Sequence, residues 1–367
     1  MTIPDIDWST LEDAYGPATD LPGDMRGLVS SAPRKRAAAL ERLWARLCHQ
    51  GSVYPASVAA VPQLVDLARS RRTGERHRIL ELLTGIAIGD HTNFLDGSLS
   101  PARQRPRPRR TTAVKTVEGQ CHEAVASRSS FLRDLVADRD ARVRAAAAFA
   151  VAWLGDPTRA SSKAIAAQYR KERDPAARVS MLLALGYLGA RAERATLERA
   201  LDDGEVTSQV RAAAAIALAY LDGKKLSSAA REVLDAACVA RALRNTAQPW
   251  NAGDLAGHAG AILATLPAPS RGRDDAIARL SAVGYIAGDK LAGELVRKVF
   301  SGRERKSAAG LTAPQRALLT TILRAGLVRS QGFVEHALKL RGLPPLRDLP
   351  AFVGAPAAIH RELRRRR

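Results

Sequence analysis

The chain has 367 residues, 46% of them apolar and only 4% aromatic, and it carries a formal net charge of +20 at neutral pH. That apolar share excludes wholesale disorder, and no apolar run approaches the roughly 18 residues that a membrane-spanning helix requires, so a soluble protein with no membrane partner is expected. So few rings also exclude a core of large aromatic side chains; the interior must come from close contact between helices lined with Ala and Leu.

In chain order, Trp8 to Tyr15 predicts a short capping helix. The opening MTIPDIDWSTLEDAYG is acidic where a secretory signal would be basic and then apolar, which points to the cytoplasm. A first hairpin is predicted from Gly23 to Ser31 and Arg34 to Cys48, broken at Pro33, and a second from Pro55 to Arg71 and Gly74 to Ile88. Gly89 and Asp90 then supply a left-handed stop and a turn residue, as do Gly155 and Asp156 later. Residues 91–112, HTNFLDGSLSPARQRPRPRRTT, lack any hydrophobic period and read as a loop. Paired helices follow: His122 to Ala137 with Ala141 to Leu154, Ser161 to Lys171 with Ala176 to Leu188, and Ala192 to Leu201 with Ser208 to Leu221. Beyond Gly223 the pattern weakens to helices at Leu226 to Leu243 and Leu255 to Leu266, with a turn or bend around Trp250 between them. An echo of the repeat ending stands at Ala282 to Asp289, and a helix near Leu311 has Thr312 as N-cap and Pro314 in its first turn. The chain therefore divides into a cap with the first hairpins (1–90), a basic loop (91–112), central repeats (113–222) and degenerate repeats with a basic tail (223–367), about eight hairpins in all.

Three segments carry the architecture. DARVRAAAAFAVAWLGD from Asp140 returns as DPAARVSMLLALGYLGA from Asp174 and as TSQVRAAAAIALAYLDG from Thr207, so Val143, Ala177 and Val210 stand 34 and 33 residues apart. Self-similarity at that period marks stacked helical hairpins, none able to bury its apolar face alone. The expected fold is all-α, a right-handed α-solenoid of antiparallel hairpins. VRAAAAFAVAWLGD, RVSMLLALGYLG and VRAAAAIALAYLDG resemble HEAT and HEAT-like repeats, including the bacterial class named for phycobilisome lyases. WSTLEDAYGPATDLP, HQGSVYPASVAAVPQLVDL, CHEAV, LTAPQRALL and RGLPPL extend the resemblance to bacterial HEAT-repeat proteins over the whole chain. The resemblance implies a ladder between adjacent repeats in which an Asp of the turn bonds an Arg early in the second helix. The matching residues are Asp140 with Arg144 and Asp174 with Arg178; the third repeat keeps Arg211 but has Thr207 in place of the Asp.

Residues that carry chemistry are sparse. Cys48, Cys121 and Cys238 are odd in number, far apart and outside any CxxC pair, so they are expected as reduced, buried side chains. The sequence has no phosphate-binding GKS or GKT, no HExxH and no GxSxG, and neither metal nor cofactor is expected. His122 and Glu123 resemble one of the His-Glu pairs of the deoxyhypusine hydroxylases, but a single pair cannot fill a two-iron site. His49, Gln50 and Tyr54 form a candidate polar site with His122 and Glu123 if stacking brings the two histidines together; alternatively they satisfy backbone groups at a tight bend. Trp153 with Asp156 resembles the aromatic and carboxylate lining of HEAT-like alkylpurine DNA glycosylases, yet Trp153 stands in the slot of Tyr187 and Tyr220 and Asp156 in an ordinary turn. Arg144, Arg178 and Arg211, with Arg142 and Arg244, recur near repeat spacing, which suits either a phosphate-binding stripe or a structural ladder.

The charge is uneven. Residues 101–115 hold six bases and no acid, among them Arg103, Arg105, Arg107, Arg109 and Arg110, and the RELRRRR of 361–367 adds five Arg against one Glu. These two segments supply half of the net charge, and such arms favour polyanions through counterion release. The expected function is that of a non-catalytic scaffold whose concave face, lined by second helices, binds a macromolecule. A protein partner is expected first, DNA or RNA is the competitor on charge grounds, and glycosylase chemistry is the third reading.

Overall fold

Prolines and short polar side chains set where the helices begin. In the computed structural model, which describes residues 6–89, 116–154, 159–266, 292–293, 295–297, 299–300, 308–324 and 332–354, Pro33, Pro55 and Pro175 sit in the first turn of their helices, where a missing N–H costs nothing. The side chains of Thr116, Asp174, Ser227 and Asp254 accept first-turn N–H groups that have no partner within the helix. Gly89 and Gly189 end their helices with φ of 62° and 70°, the left-handed stop that glycine adopts without a Cβ clash.

The described residues are helical apart from one two-stranded ribbon, so the fold class is all-α. In order the helices are α1 (Leu21–Gly27), α2 (Pro33–Leu47), α3 (Pro55–Arg69), α4 (Arg76–Ile88), α5 (Val117–Ala126) and α6 (Ser129–Asp134). They continue as α7 (Ala141–Leu154), α8 (Ala160–Tyr169), α9 (Pro175–Tyr187), α10 (Arg194–Asp202) and α11 (Ser208–Asp222). The last are α12 (Ser228–Val239), α13 (Leu255–Thr265), α14 (Ala313–Arg324), α15 (Phe333–Leu340) and α16 (Leu349–Phe352).

Three expected helices differ. Trp8 to Tyr15 is not one helix: a 3-10 turn at Trp8–Thr10 is capped by Asp7, and then β1 (Glu12–Asp13) pairs antiparallel with β2 (Gly16–Pro17). The Asp13 carboxylate accepts the Tyr15 N–H, which bends the chain where a helix would have to continue. The single helix expected from His122 to Ala137 is split into α5, α6 and a 3-10 turn at Leu135–Ala137. At the break, Ser127 and Arg128 side chains both donate to the Ala124 carbonyl, and Arg128 leaves helical geometry at φ −105° and ψ 16°. Leu226 to Leu243 is shortened to α12 plus a 3-10 turn at Arg241–Leu243. Residues 91–112, Asp156 and Ala282 to Asp289 lie outside the described residues.

The chain forms two compact units. Among the described residues, the first takes in everything up to Leu221 together with Ala247–Ala252, and the second takes in Asp222–Thr246 and Gly253 onward. In the first unit α3 pairs with α4, α6 with α7 and α8 with α9; across hairpins, α4 packs on α7, α7 on α9, and α3 on α5. Gly186 of α9 faces α11 so closely that an added Cβ would lie 2.7 Å from the Ala217 Cβ and 2.8 Å from its carbonyl oxygen. Ala145–Trp153, Val179–Tyr187 and Ala212–Leu221 are buried at every position. The low aromatic content is explained here, because Ala on all faces lets these three helices be covered from every side.

In the second unit α12 packs on α13, and α14 packs on α16. Leu318, Leu319 and Ile322 of α14 meet Val334, Ala337 and Leu338 of α15 in one apolar cluster. Gln315 receives the Thr312 N–H at 3.1 Å and donates to the Val299 carbonyl at 3.2 Å, anchoring the start of α14. No helix among the described residues is long and apolar enough to cross a membrane.

Candidate ligand groove beside residues 247–252

The arginines that recur along the first unit all turn back onto their own hairpins. Arg76 Nε donates to the Ala68 carbonyl at 2.7 Å, Arg144 Nη1 to the carbonyls of Asp138 and Arg139 at 2.8 and 3.0 Å, and Arg211 Nε to Leu201 at 3.0 Å. Each ties the start of a second helix to the end of the first. Arg178 instead donates to the Tyr169 hydroxyl at 3.1 Å, with its guanidinium 5.2 Å from that ring centre.

Rungs between hairpins are present, but their acids stand two residues earlier than expected. Arg76 holds Asp138 in a bidentate pair at 3.1 and 3.0 Å, and Arg144 holds Glu172 through both Nε and Nη2, the latter at 2.6 Å. Asp138 and Glu172 are equivalent positions one 34-residue step apart. Asp140 pairs instead with Arg142, and Asp174 caps its own helix through the Ala177 N–H. Burial works to raise both rung carboxyls, but the Arg76 and Arg144 guanidiniums and neighbouring backbone N–H groups outweigh it and hold both below the ordinary range. The next equivalent, Glu205, is exposed and makes no pair with Arg178.

His49 and His122 do not share a site. His49 Nδ1 meets the Tyr15 hydroxyl at 3.4 Å, and the two rings stand edge to face with centroids 5.6 Å apart. His122 is buried, with Nδ1 3.2 Å from the Ala87 carbonyl, while Glu123 is exposed. Gln50, with φ 50°, and Gly51 form the bend, and the Tyr54 N–H donates to Ser57 Oγ, which itself donates to the Leu47 carbonyl. These groups therefore satisfy a tight interhelical bend. Trp153 is 1% exposed and packs its ring against Phe149 and Tyr187, a place in the core and not on a surface. Arg103, Arg105, Arg107, Arg109 and Arg110 lie outside the described residues.

Residues from Ala247–Ala252 share a groove with α2 and α4. Trp250 is 1% exposed, with its ring centre 5.0 Å from Phe149 and 5.6 Å from Tyr187. Its Nε1–H donates to Ser180 Oγ at 3.0 Å, and that hydroxyl donates onward to the Ala145 carbonyl at 2.7 Å. The Gln248 amide closes over the segment, accepting the Trp250 N–H at 2.6 Å and donating to the Trp250 carbonyl at 3.1 Å. Asn251 and Ala252 follow in the left-handed region at φ 49° and 51°, a conformation that non-glycine residues hold only when their surroundings impose it.

Beside this segment a groove of about 540 Å³ is lined by Trp44, His77, Arg78, Glu81, Phe149, Ala247, Gln248, Pro249 and Ala252. Trp44 sets the outer edge of its six-membered ring against α4: a Cβ on Gly85 would come within 2.7 Å of two of its ring carbons. Gly85 is one helical turn beyond Glu81, so the indole and that carboxyl share one face of the helix. Burial pushes the Glu81 carboxyl up to about 7, against the pull of Arg78. Burial, aided by Arg142, pushes the His77 imidazole down, against the pull of Glu75 and Asp140. Glu81 and Arg78 make no hydrogen bond or ion pair among the described residues, and His77 Nδ1 is buried without a partner.

Nothing in the repeat pattern pointed to this groove. The available signal was Glu81, a lone acid inside the apolar run ILELLTGIAI, together with a tryptophan in a segment that reads as a turn. Among the described residues no group of three or more His, Cys, Asp or Glu side chains is placed to hold a metal ion. No protein-family model matches the chain, and no curated protein matches it.

Proposed function

We propose that the chain is a non-catalytic binding protein. Its hairpins from α3–α4 to α10–α11 continue one another as a right-handed α-solenoid of HEAT-like repeats, and a protein partner docks in the groove between α2, α4 and Ala247–Ala252. Equivalent rung acids one repeat apart, and the packing of α4 on α7 and α7 on α9, support the repeat architecture. One observation carries the binding reading: this side already accepts a peptide segment anchored by Trp250, and the groove beside it keeps the Glu81 carboxyl without a hydrogen bond or ion pair. Polar groups in a partly buried groove that lack a partner are satisfied by a ligand able to supply one.

The test is site-specific photocrosslinking in the native host with benzoylphenylalanine at Ala247, an exposed lining residue, and at Leu340 as an exposed control. A single protein crosslinked from Ala247 alone, whose purified form binds the wild-type chain and binds Ala247→Trp, which fills the groove, at least tenfold more weakly, is the expected result. Crosslinks that are the same from both positions, or purified candidates indifferent to Ala247→Trp, overturn it.

A second reading, nucleic-acid binding, is favoured by the +20 charge and its concentration in residues 101–115 and 361–367. It requires retention on heparin and an affinity for DNA or RNA that falls steeply with salt, with a shallower slope once either segment is neutralised. No affinity at low salt sinks it.

A further inference from the structure

Glu81 is the least ordinary group in the groove. It is partly buried, it has no hydrogen bond or ion pair, and Arg78, one turn away on the same helix, does not reach it. Burial disfavours the ionised form of the Glu81 carboxyl, and no cation in contact offsets that cost. The Trp44 indole meets α4 one turn along the same side, and Phe149 supplies a further apolar wall. A carboxylate beside aromatic walls suits an organic cation with an apolar stem, the first by charge and the second by covering the stem.

We propose that the groove seats one lysine or arginine side chain of the protein partner, with its cationic head against Glu81 and its aliphatic stem along Trp44 and Phe149. This rests on the binding reading given above. Both basic side chains match the requirement, since each has a long apolar stem below a charged tip. A volume of about 540 Å³ admits such a chain without displacing Trp250. Burial disfavours the charged form of His77, which has Glu75 3.8 Å away, and the lining residues from α2, α7 and 247–252 carry no titratable group. A bound cation favours the ionised form of Glu81, so binding strengthens from pH 6 to pH 8 as the carboxyl, held near 7 in the free protein, gives up its proton.

The probe is n-butylguanidinium, with n-butanol and n-butyrate as isosteric controls, titrated into the full chain while the Trp44 indole N–H is followed by NMR. Expected is a saturable shift from the cation alone, several-fold tighter at pH 8 than at pH 6, and at least tenfold weaker in Glu81→Gln. Glu81→Gln removes a charge from a partly buried place, so an unchanged or raised melting temperature shows that the loss is not unfolding. Equal response to butanol, preference for butyrate, or an unchanged titration in Glu81→Gln overturns the proposal. If the Ala247 crosslink identifies a partner whose affinity ignores Glu81→Gln, the cation assignment fails while protein binding stands. If the cation saturates but no partner is captured, protein binding fails and the lysine or arginine assignment fails with it.

Discussion

Arg144 and Glu172 show how much one ion pair decides when it is placed between layers. The Glu172 side chain is 2% exposed and that of Arg144 13%, so this is a buried pair and not a surface one. Removing the cation in Arg144→Met strands a buried carboxylate, and the expected loss is about 3 to 5 kcal/mol in denaturant unfolding. Glu172→Gln in the same background should restore a large part of it. The sign of the pH dependence follows from the depressed carboxyls of Asp138 and Glu172. Their contribution is complete above the unfolded carboxylate value, about 4, and is lost as pH falls through their lower folded values. Arg144→Met should flatten that part of the acid limb, and an unaltered limb would show that Glu172 is not held by Arg144. The sequence made the arginines legible, because they recur at repeat spacing, but not their partners. Asp138 and Asp140 are both acids of the same turn, and only the extended backbone at Asp138, φ −62° and ψ 159°, selects which one reaches the neighbouring hairpin. Glu81 was still less visible, since a lone acid in an apolar helix declares neither its burial nor the tryptophan above it.

At the level of the element, the contact between α9 and α11 is set by a missing side chain. Gly186→Ala places a methyl 2.7 Å from the Ala217 Cβ and 2.8 Å from a carbonyl oxygen that belongs to helix backbone and cannot swing aside. The helices must separate, which costs about 1 to 3 kcal/mol by the usual measure of overpacking. Gly186→Ala with Ala217→Gly should recover less than half of it, because the carbonyl clash remains. Full recovery would mean that only the two side chains collide. The second helices were the most legible elements: α7 starts at the predicted Ala141 and is helical through Leu154, the last residue described before 159, because its apolar run is long. The first helix of that hairpin was not, because Ser127 and Arg128 divert its carbonyls, a local competition that hydrophobic period does not register. Full burial of α7, α9 and α11 was equally hidden. Ala on every face suits either a helix with one open side or a helix with none.

For the whole molecule, the three thiols offer a reading of cooperativity. Cys48 and Cys121 are buried in the first unit and Cys238 in the second, all as free thiols. The native protein should give no fast reaction with a thiol reagent, and three equivalents after full unfolding. If the units unfold apart, Cys238 labels at a different denaturant concentration from the other two; simultaneous labelling of all three would show a single transition. The two-unit division itself was only half legible, since composition marks the change near Gly223 but nothing local assigns Ala247–Ala252 to the earlier unit. That assignment depends on Phe149, Ser180 and Tyr187, far upstream in the chain. It also bears on biosynthesis. The aromatic floor formed by those residues is translated well before the indole that covers it, so the nascent chain must keep an oily, unfinished surface until Trp250 leaves the ribosome. Truncations ending at the last good repeat would inherit that same bare surface permanently, and with it a tendency to aggregate.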